Sequence, residues 1–151
     1  SLLLAPLAAW IAIRGIPDLR ELAIPLALGG AVLFWVAGFD ILYACQDMEH
    51  DREAGLFSIP QSVGLQGAFW LARALHLGAV GLLSWFAVLF HFGTAGWIGV
   101  GVVALLLLYE HLLVSPKEMR RLNAAFFTMN GVIAMVFLGF VVTDIWLGGW
   151  R

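Results

Sequence analysis

The sequence predicts an all-α fold: a multi-pass transmembrane helix bundle of four full spans plus a partial first helix, forming a single membrane domain over residues 1–151. Three observations predict it. Hydrophobic residues make up 62% of the chain and charged residues only 12%, against roughly 25% charged in soluble domains. Four segments, Leu22–Ala44, Gly67–Phe90, Trp97–Val114 and Leu122–Leu147, meet the length of roughly 17–25 mostly apolar residues that a spanning helix needs. Turn and cap residues separate those segments.

Each element has a local reason. The first apolar run, Leu2–Ile13, has about a dozen residues and is too short to span. The chain opens on Ser1 inside that helical pattern, so it is expected to belong to a longer protein. Gly15-Ile-Pro17 stops the first helix, glycine at its end and proline just beyond. Pro25 stands near the start of the second, where its missing N–H costs nothing. Gly93-Thr-Ala-Gly96 reads as a short turn. Ser115-Pro116-Lys117-Glu118 reads as a capping box, which starts the last helix near Pro116. Small residues recur within the spans (Ala27/Ala31, Ala74/Gly78, Ala95/Gly99), and these let membrane helices approach closely.

Composition also excludes. The net charge is -2 and no basic tract is present, so no nucleic-acid partner is expected. Cys45 is the one cysteine, which rules out an internal disulfide. Helices that alternate in direction place the loops 46–66 and 114–121 on one membrane face. That face carries Arg52, Arg73, Lys117, Arg120 and Arg121, and the other carries Arg14, Arg20 and Arg151. Positive charge marks the cytoplasmic side.

Negative charge is concentrated. Of ten acidic residues, five lie between Asp40 and Glu53. If residues 40–51 are one helix, each advances about 100°. Asp40, Tyr43, Asp47 and Asp51 then fall within an arc of about 80°, while Glu49, Arg52 and Glu53 point elsewhere. Two carboxylates about 5 Å apart repel by roughly 3 kcal/mol at an effective dielectric near 20. Asp40 also lies inside an apolar run, where an acid usually faces a cavity or the bundle interior. Something positive should sit against this stripe. Oxygen donors favour a hard cation, and Mg2+ typically uses one or two carboxylates plus substrate phosphates.

The plainer readings stand beside this one. Glu49 and Glu53 read as a solvated face. His50, His76, His91 and His111 are scattered and form no metal-binding spacing; His111, after Glu110, reads as an interfacial polar residue. Asn123 and Asn130, seven apart on one face, either bond between helices or line a polar chamber. The seven Trp read as interfacial or lipid-facing, and Lys117, Arg120 and Arg121 as positive-inside anchors.

The run Asp40-x-x-Tyr43-Ala44-x-x-Asp47-x-x-x-Asp51-x-x-x-Gly55-x-x-Ser58-Ile59-Pro60 resembles the second aspartate-rich motif of the UbiA family of intramembrane aromatic prenyltransferases. Asn123-Ala-Ala-Phe-Phe-x-x-Asn130-Gly131 resembles the last helix of its 4-hydroxybenzoate polyprenyltransferase branch. The helix order is similar to the family's fifth to ninth helices, so the resemblance implies the C-terminal half of a nine-helix bundle. It departs from the family in lacking the first aspartate-rich motif, which belongs to a missing N-terminal half; these residues alone are therefore expected to be inactive.

The resemblance implies Mg2+-dependent transfer of a polyprenyl group from a polyprenyl diphosphate to a small aromatic acid in quinone biosynthesis. Asp47 and Asp51 would hold Mg2+. Asp40 and Tyr43 would meet the metal shell or the aromatic acceptor. Arg73, Lys117, Arg120 and Arg121 would contact phosphate, with Asn123 and Asn130 on the substrate side. It also implies a bacterial inner-membrane location with the acidic motif toward the cytoplasm. The Gly55-Leu56-x-Ser58-Ile59-Pro60 ending is similar to sequences that prenylate a dihydroxynaphthoate on a menaquinone route, an alternative acceptor. Three rivals remain, one of them another enzyme. A cation transporter or proton relay would show matched halves, and none is visible. A CDP-alcohol phosphotransferase would carry DGxxAR, but Met48-Glu49 follows Asp47. A structural membrane subunit would need a partner's cations.

Overall fold

The computed structural model describes residues 2–16, 18–113 and 122–148, and of residues 122–127 the backbone alone. The described chain is all-helical, with α1 (Leu4–Arg14), α2 (Ala23–Ala44), α3 (Met48–Glu53), α4 (Ile59–Leu89), α5 (Thr94–Leu113) and α6 (Leu122–Gly148). Four stretches are long and apolar enough to cross a membrane: Ala23–Ala44, Ile59–Leu89, Thr94–Leu113 and Thr128–Gly148. All four expected spans are therefore present among the described residues. Large apolar side chains such as Trp70, Leu77, Leu105, Leu112 and Trp146 face outward, as helices bathed in lipid require.

Helix ends follow local chemistry. Gly15 takes φ 85° and closes α1 with its N–H on Ile11 O at 2.9 Å. Asp18 Oδ1 then accepts from the N–H groups of Arg20 and Glu21, both at 2.8 Å, starting the turn that leads into α2. Pro25 sits in the first turn of α2 and is buried.

The α2–α4 seam is built from small residues. Ala27 and Ala31 on α2 and Ala68, Ala72 and Ala79 on α4 are all buried. Gly38, Phe34 and Gly30 face His76, Gly78 and Leu82 in turn, so the two helices run antiparallel. Without a hydrophobic drive between helices in lipid, close backbone packing of this kind holds them. Of the expected small pairs, Ala27/Ala31 lies wholly in a seam. Ala74 is exposed while Gly78 meets Phe34, and Gly99 meets Phe140 on α6.

The turn between α4 and α5 falls earlier than Gly93–Gly96. His91 takes φ 55°. The Phe92 N–H bonds back to Ala87 O at 2.9 Å and the His91 N–H to Val88 O at 3.1 Å. Phe92 then packs edge-on against Phe86, with ring centroids 5.5 Å apart, so ring packing rather than a glycine fixes this reversal. The start of α5 is capped from α6: Asp144 accepts from Gly93 N–H and Gly96 N–H, each at 2.9 Å. The expected capping box at Ser115–Glu118 lies outside the described residues.

Candidate carboxylate and histidine site

The acidic stretch is not one helix. α2 ends at Ala44, and Gln46 N–H bonds to Tyr43 O at 2.9 Å, a tightened last turn. Asp47 sits at φ -95°, ψ 4° in front of α3. The single stripe is thereby corrected to two pairs. Asp40 and Tyr43 share the last turn of α2. Asp47 and Asp51 share the first turn of α3, where the Asp51 N–H bonds to Asp47 O at 2.8 Å. No glycine or proline marks the break, so the sequence pattern ran through it.

Asp40, Tyr43 and Asp47 are exposed, and Asp51 is half-buried. Asp40 thus faces outward from this bundle rather than into its interior. Asp47 is exposed and makes no capping bond with its side chain. Among the described residues, no group of three or more His, Cys, Asp and Glu comes together as a metal cage. What Asp47 and Asp51 supply is a hard-oxygen pair one turn apart. Such a donor set fits Mg2+, which takes its remaining ligands from water and phosphate.

Arg73 lies on α4 with its guanidinium over the Trp70 ring, 5.0 Å from the centroid. Stacking of this kind presents the fork of donors toward an anion. Lys117, Arg120 and Arg121 lie outside the described residues, as does the Asn123 side chain. Asn130 does bond between helices: Trp35 Nε1 donates to its Oδ1 at 2.8 Å.

The structure adds a polar group that sequence spacing missed. His76 and His111 stand 35 residues apart, yet His76 Nδ1 and His111 Nε2 are 3.0 Å apart. His76 Nε2 donates to the backbone carbonyl of Trp35 at 3.2 Å. Glu110 is 1% exposed, and among the described residues neither carboxyl oxygen has a hydrogen-bond partner. Neither His111 nor Glu110 is therefore a simple interfacial residue. A signal was present: ionisable residues inside apolar spans are rare and mark functional interiors.

A cavity of about 660 Å³ opens at the opposite end of the bundle, lined by Trp10, Arg14, Phe86, Phe90 and Asp144 among others. It is mostly apolar and lies away from the carboxylates, so it suits an apolar chain rather than a charged headgroup.

An apolar multi-helix bundle with four helices long enough to cross a membrane, and with carboxylates and a cation at one end, is the build of an integral-membrane protein. The chain belongs to the UbiA prenyltransferase family, whose model matches residues 1–146. It is 26% identical to a polyprenyl transferase of Nectria sp. over 93% of this chain and 44% of that protein. It is 28% identical to the 4-hydroxybenzoate solanesyltransferase of Synechocystis sp. over 97% of this chain and 47% of that protein. It is 30% identical to the 4-hydroxybenzoate octaprenyltransferase of Burkholderia cenocepacia over 72% of this chain and 38% of that protein. The chain thus spans less than half the length of these relatives. No solved structure matches it.

Proposed function

We propose that this chain forms part of an enzyme that transfers a polyprenyl group from an allylic diphosphate to 4-hydroxybenzoate or a close analogue in quinone biosynthesis. The carrying observation is the pair Asp47/Asp51, carboxylates one turn apart at the mouth of an apolar bundle with Arg73 on the adjoining helix. The two 4-hydroxybenzoate transferases among the relatives favour that acceptor over a dihydroxynaphthoate.

Asp47 and Asp51 would hold Mg2+, which when bound supplies positive charge to a leaving diphosphate. Arg73 would bind the same headgroup directly. Asp40 and Tyr43, one turn deeper, would orient the headgroup and the aromatic acceptor. The helices bury the allylic centre away from water, which protects a cationic intermediate from hydrolysis. The far-end cavity and the walls of α2 and α4 accommodate an apolar tail; from Gly64 to Leu89, α4 alone runs about 38 Å.

The outward-facing Asp40 needs a cover. A further segment bearing the family's first aspartate-rich motif would provide it, and would complete the metal site. We place the acidic end toward the cytoplasm of a bacterial inner membrane, following the positive charge around it. The test is an assay in membranes on the complete protein. Mg2+-dependent consumption of a polyprenyl diphosphate with prenylated 4-hydroxybenzoate as product is expected. Movement of label across vesicles without diphosphate release would overturn the reading in favour of a transporter.

A further inference from the structure

The hydrogen bonds around His76 set the state of His111. A carbonyl oxygen only accepts, so the His76 nitrogen facing Trp35 O, Nε2, carries the proton. In a neutral ring Nδ1 is then an acceptor. His111 Nε2, 3.0 Å away, must donate to it. In the neutral pair this leaves His111 Nδ1 as a lone pair. That atom is closed to solvent and, among the described residues, has no hydrogen-bond partner. A buried acceptor left bare is rare and calls for an explanation. The Trp35 carbonyl therefore holds a base in position two rings away, the orienting arrangement found behind proton-transferring histidines.

Its surroundings bear on the headgroup end of the site. Arg73 stands one turn before His76 on α4. His76 packs against Gly38 on α2, two residues before Asp40. Among the described residues, the titratable and charged groups on the elements packed around the pair are Asp40 and Tyr43 on α2, Arg73 on α4, and Tyr109 and Glu110 on α5, and α6 brings the polar Asn130 to Trp35. Glu110 precedes His111 on α5, and among the described residues its carboxyl has no hydrogen-bond partner.

The geometry points to His111 Nδ1 as the site that accepts the proton lost by the aromatic ring, an inference that rests on the transferase reading above. In that reaction the donor's C1–O bond breaks and its electron pair leaves on the diphosphate. A π pair of the ring forms the new carbon–carbon bond. The pair of the ring C–H bond then returns to the ring, and the proton forms an N–H bond at His111 Nδ1. His111 becomes an imidazolium that still donates through Nε2 to His76, and it gives up its proton to water that enters as the product leaves, before the next turnover. C1 adjoins the diphosphate, so the ring must react next to the headgroup, on the side where this pair lies.

The test uses the complete protein in membranes with Mg2+, polyprenyl diphosphate and ring-deuterated 4-hydroxybenzoate. H111Q keeps an amide N–H to donate to His76 and loses the basic lone pair. Expected are a fall in kcat of about a hundredfold, little change in KM for the diphosphate, a primary deuterium isotope effect absent from wild type, and an altered pH profile. Wild-type kcat in H111Q, or a fall with no isotope effect and an unchanged pH profile, would overturn the inference while leaving the transferase reading intact. A wild-type protein that forms no prenylated ring would sink that reading and this inference with it. A second readout is independent of activity: 15N spectra of the histidines should show His111 protonated at Nε2. Protonation at Nδ1 in the neutral ring would overturn the assignment.

Discussion

Gly38 lies so close to the imidazole of His76 that a methyl group at position 38 would overlap ring atoms Cδ2 and Nε2. The missing side chain on α2 is what admits an imidazole on α4. It also lets that ring reach the Trp35 carbonyl one turn earlier on α2.

Gly38→Ala should therefore displace His76 and destabilise the bundle by about 1–3 kcal/mol. Unfolding in detergent measures it. Gly101→Ala is the control, since nothing lies within 4 Å of a Cβ there. Equal stability of both variants and the wild type would contradict the packing described.

Asp144 ties α6 to the start of α5 through two backbone N–H groups. Asp144→Ala should cost about 1 kcal/mol. Amide exchange should speed at Gly93 and Gly96 and remain unchanged at the buried middle of α5, near Val103.

The carboxylates should separate by role. In the complete protein, Asp47→Asn or Asp51→Asn should lower Mg2+-dependent diphosphate release by about a hundredfold or more at normal expression. Chelating the metal should have the same effect. Glu49→Gln, on exposed α3, should stay near wild type. Tyr43→Phe should fall between, because a phenol contributes only a hydrogen bond. A Glu49→Gln loss matching Asp47→Asn would mean that α3 presents a different face to the headgroup.

Burial pushes the Cys45 thiol up to about 11. The raised value keeps the thiol protonated through neutral pH, and only the thiolate reacts. Maleimide at pH 7 should label the folded protein far more slowly than the unfolded one, with labelling rising as the pH approaches that value.

What was legible in the sequence was whatever rests on local pattern. The spans Leu22–Ala44 and Trp97–Val114 match α2 and α5 within about three residues, because length and apolarity are local properties. Residues 59–66 were read as loop, yet they begin α4: Pro60 occupies its first turn, and Gly64 (φ 72°) kinks the helix without ending it. The break after Ala44 was invisible because no residue there forbids a helix. On the candidate site, the position of the carboxylates was legible from spacing and their division into two pairs was not. The His76–His111 contact and the Trp35–Asn130 bond join residues 35 and 95 apart. Such pairings exist only after the helices pack, so no spacing rule reports them.

The small-residue seam between α2 and α4 has a consequence for biogenesis. Its facing pairs, Gly38 with His76, Phe34 with Gly78 and Gly30 with Leu82, are all synthesised by residue 82. Once α4 has left the translocon, a helical hairpin carrying Asp40, Asp47, Asp51, Arg73 and the imidazole of His76 can close before α5 exists. The headgroup end would then be laid down first. The later helices would dock onto it, bringing His111 to a ring already held in place.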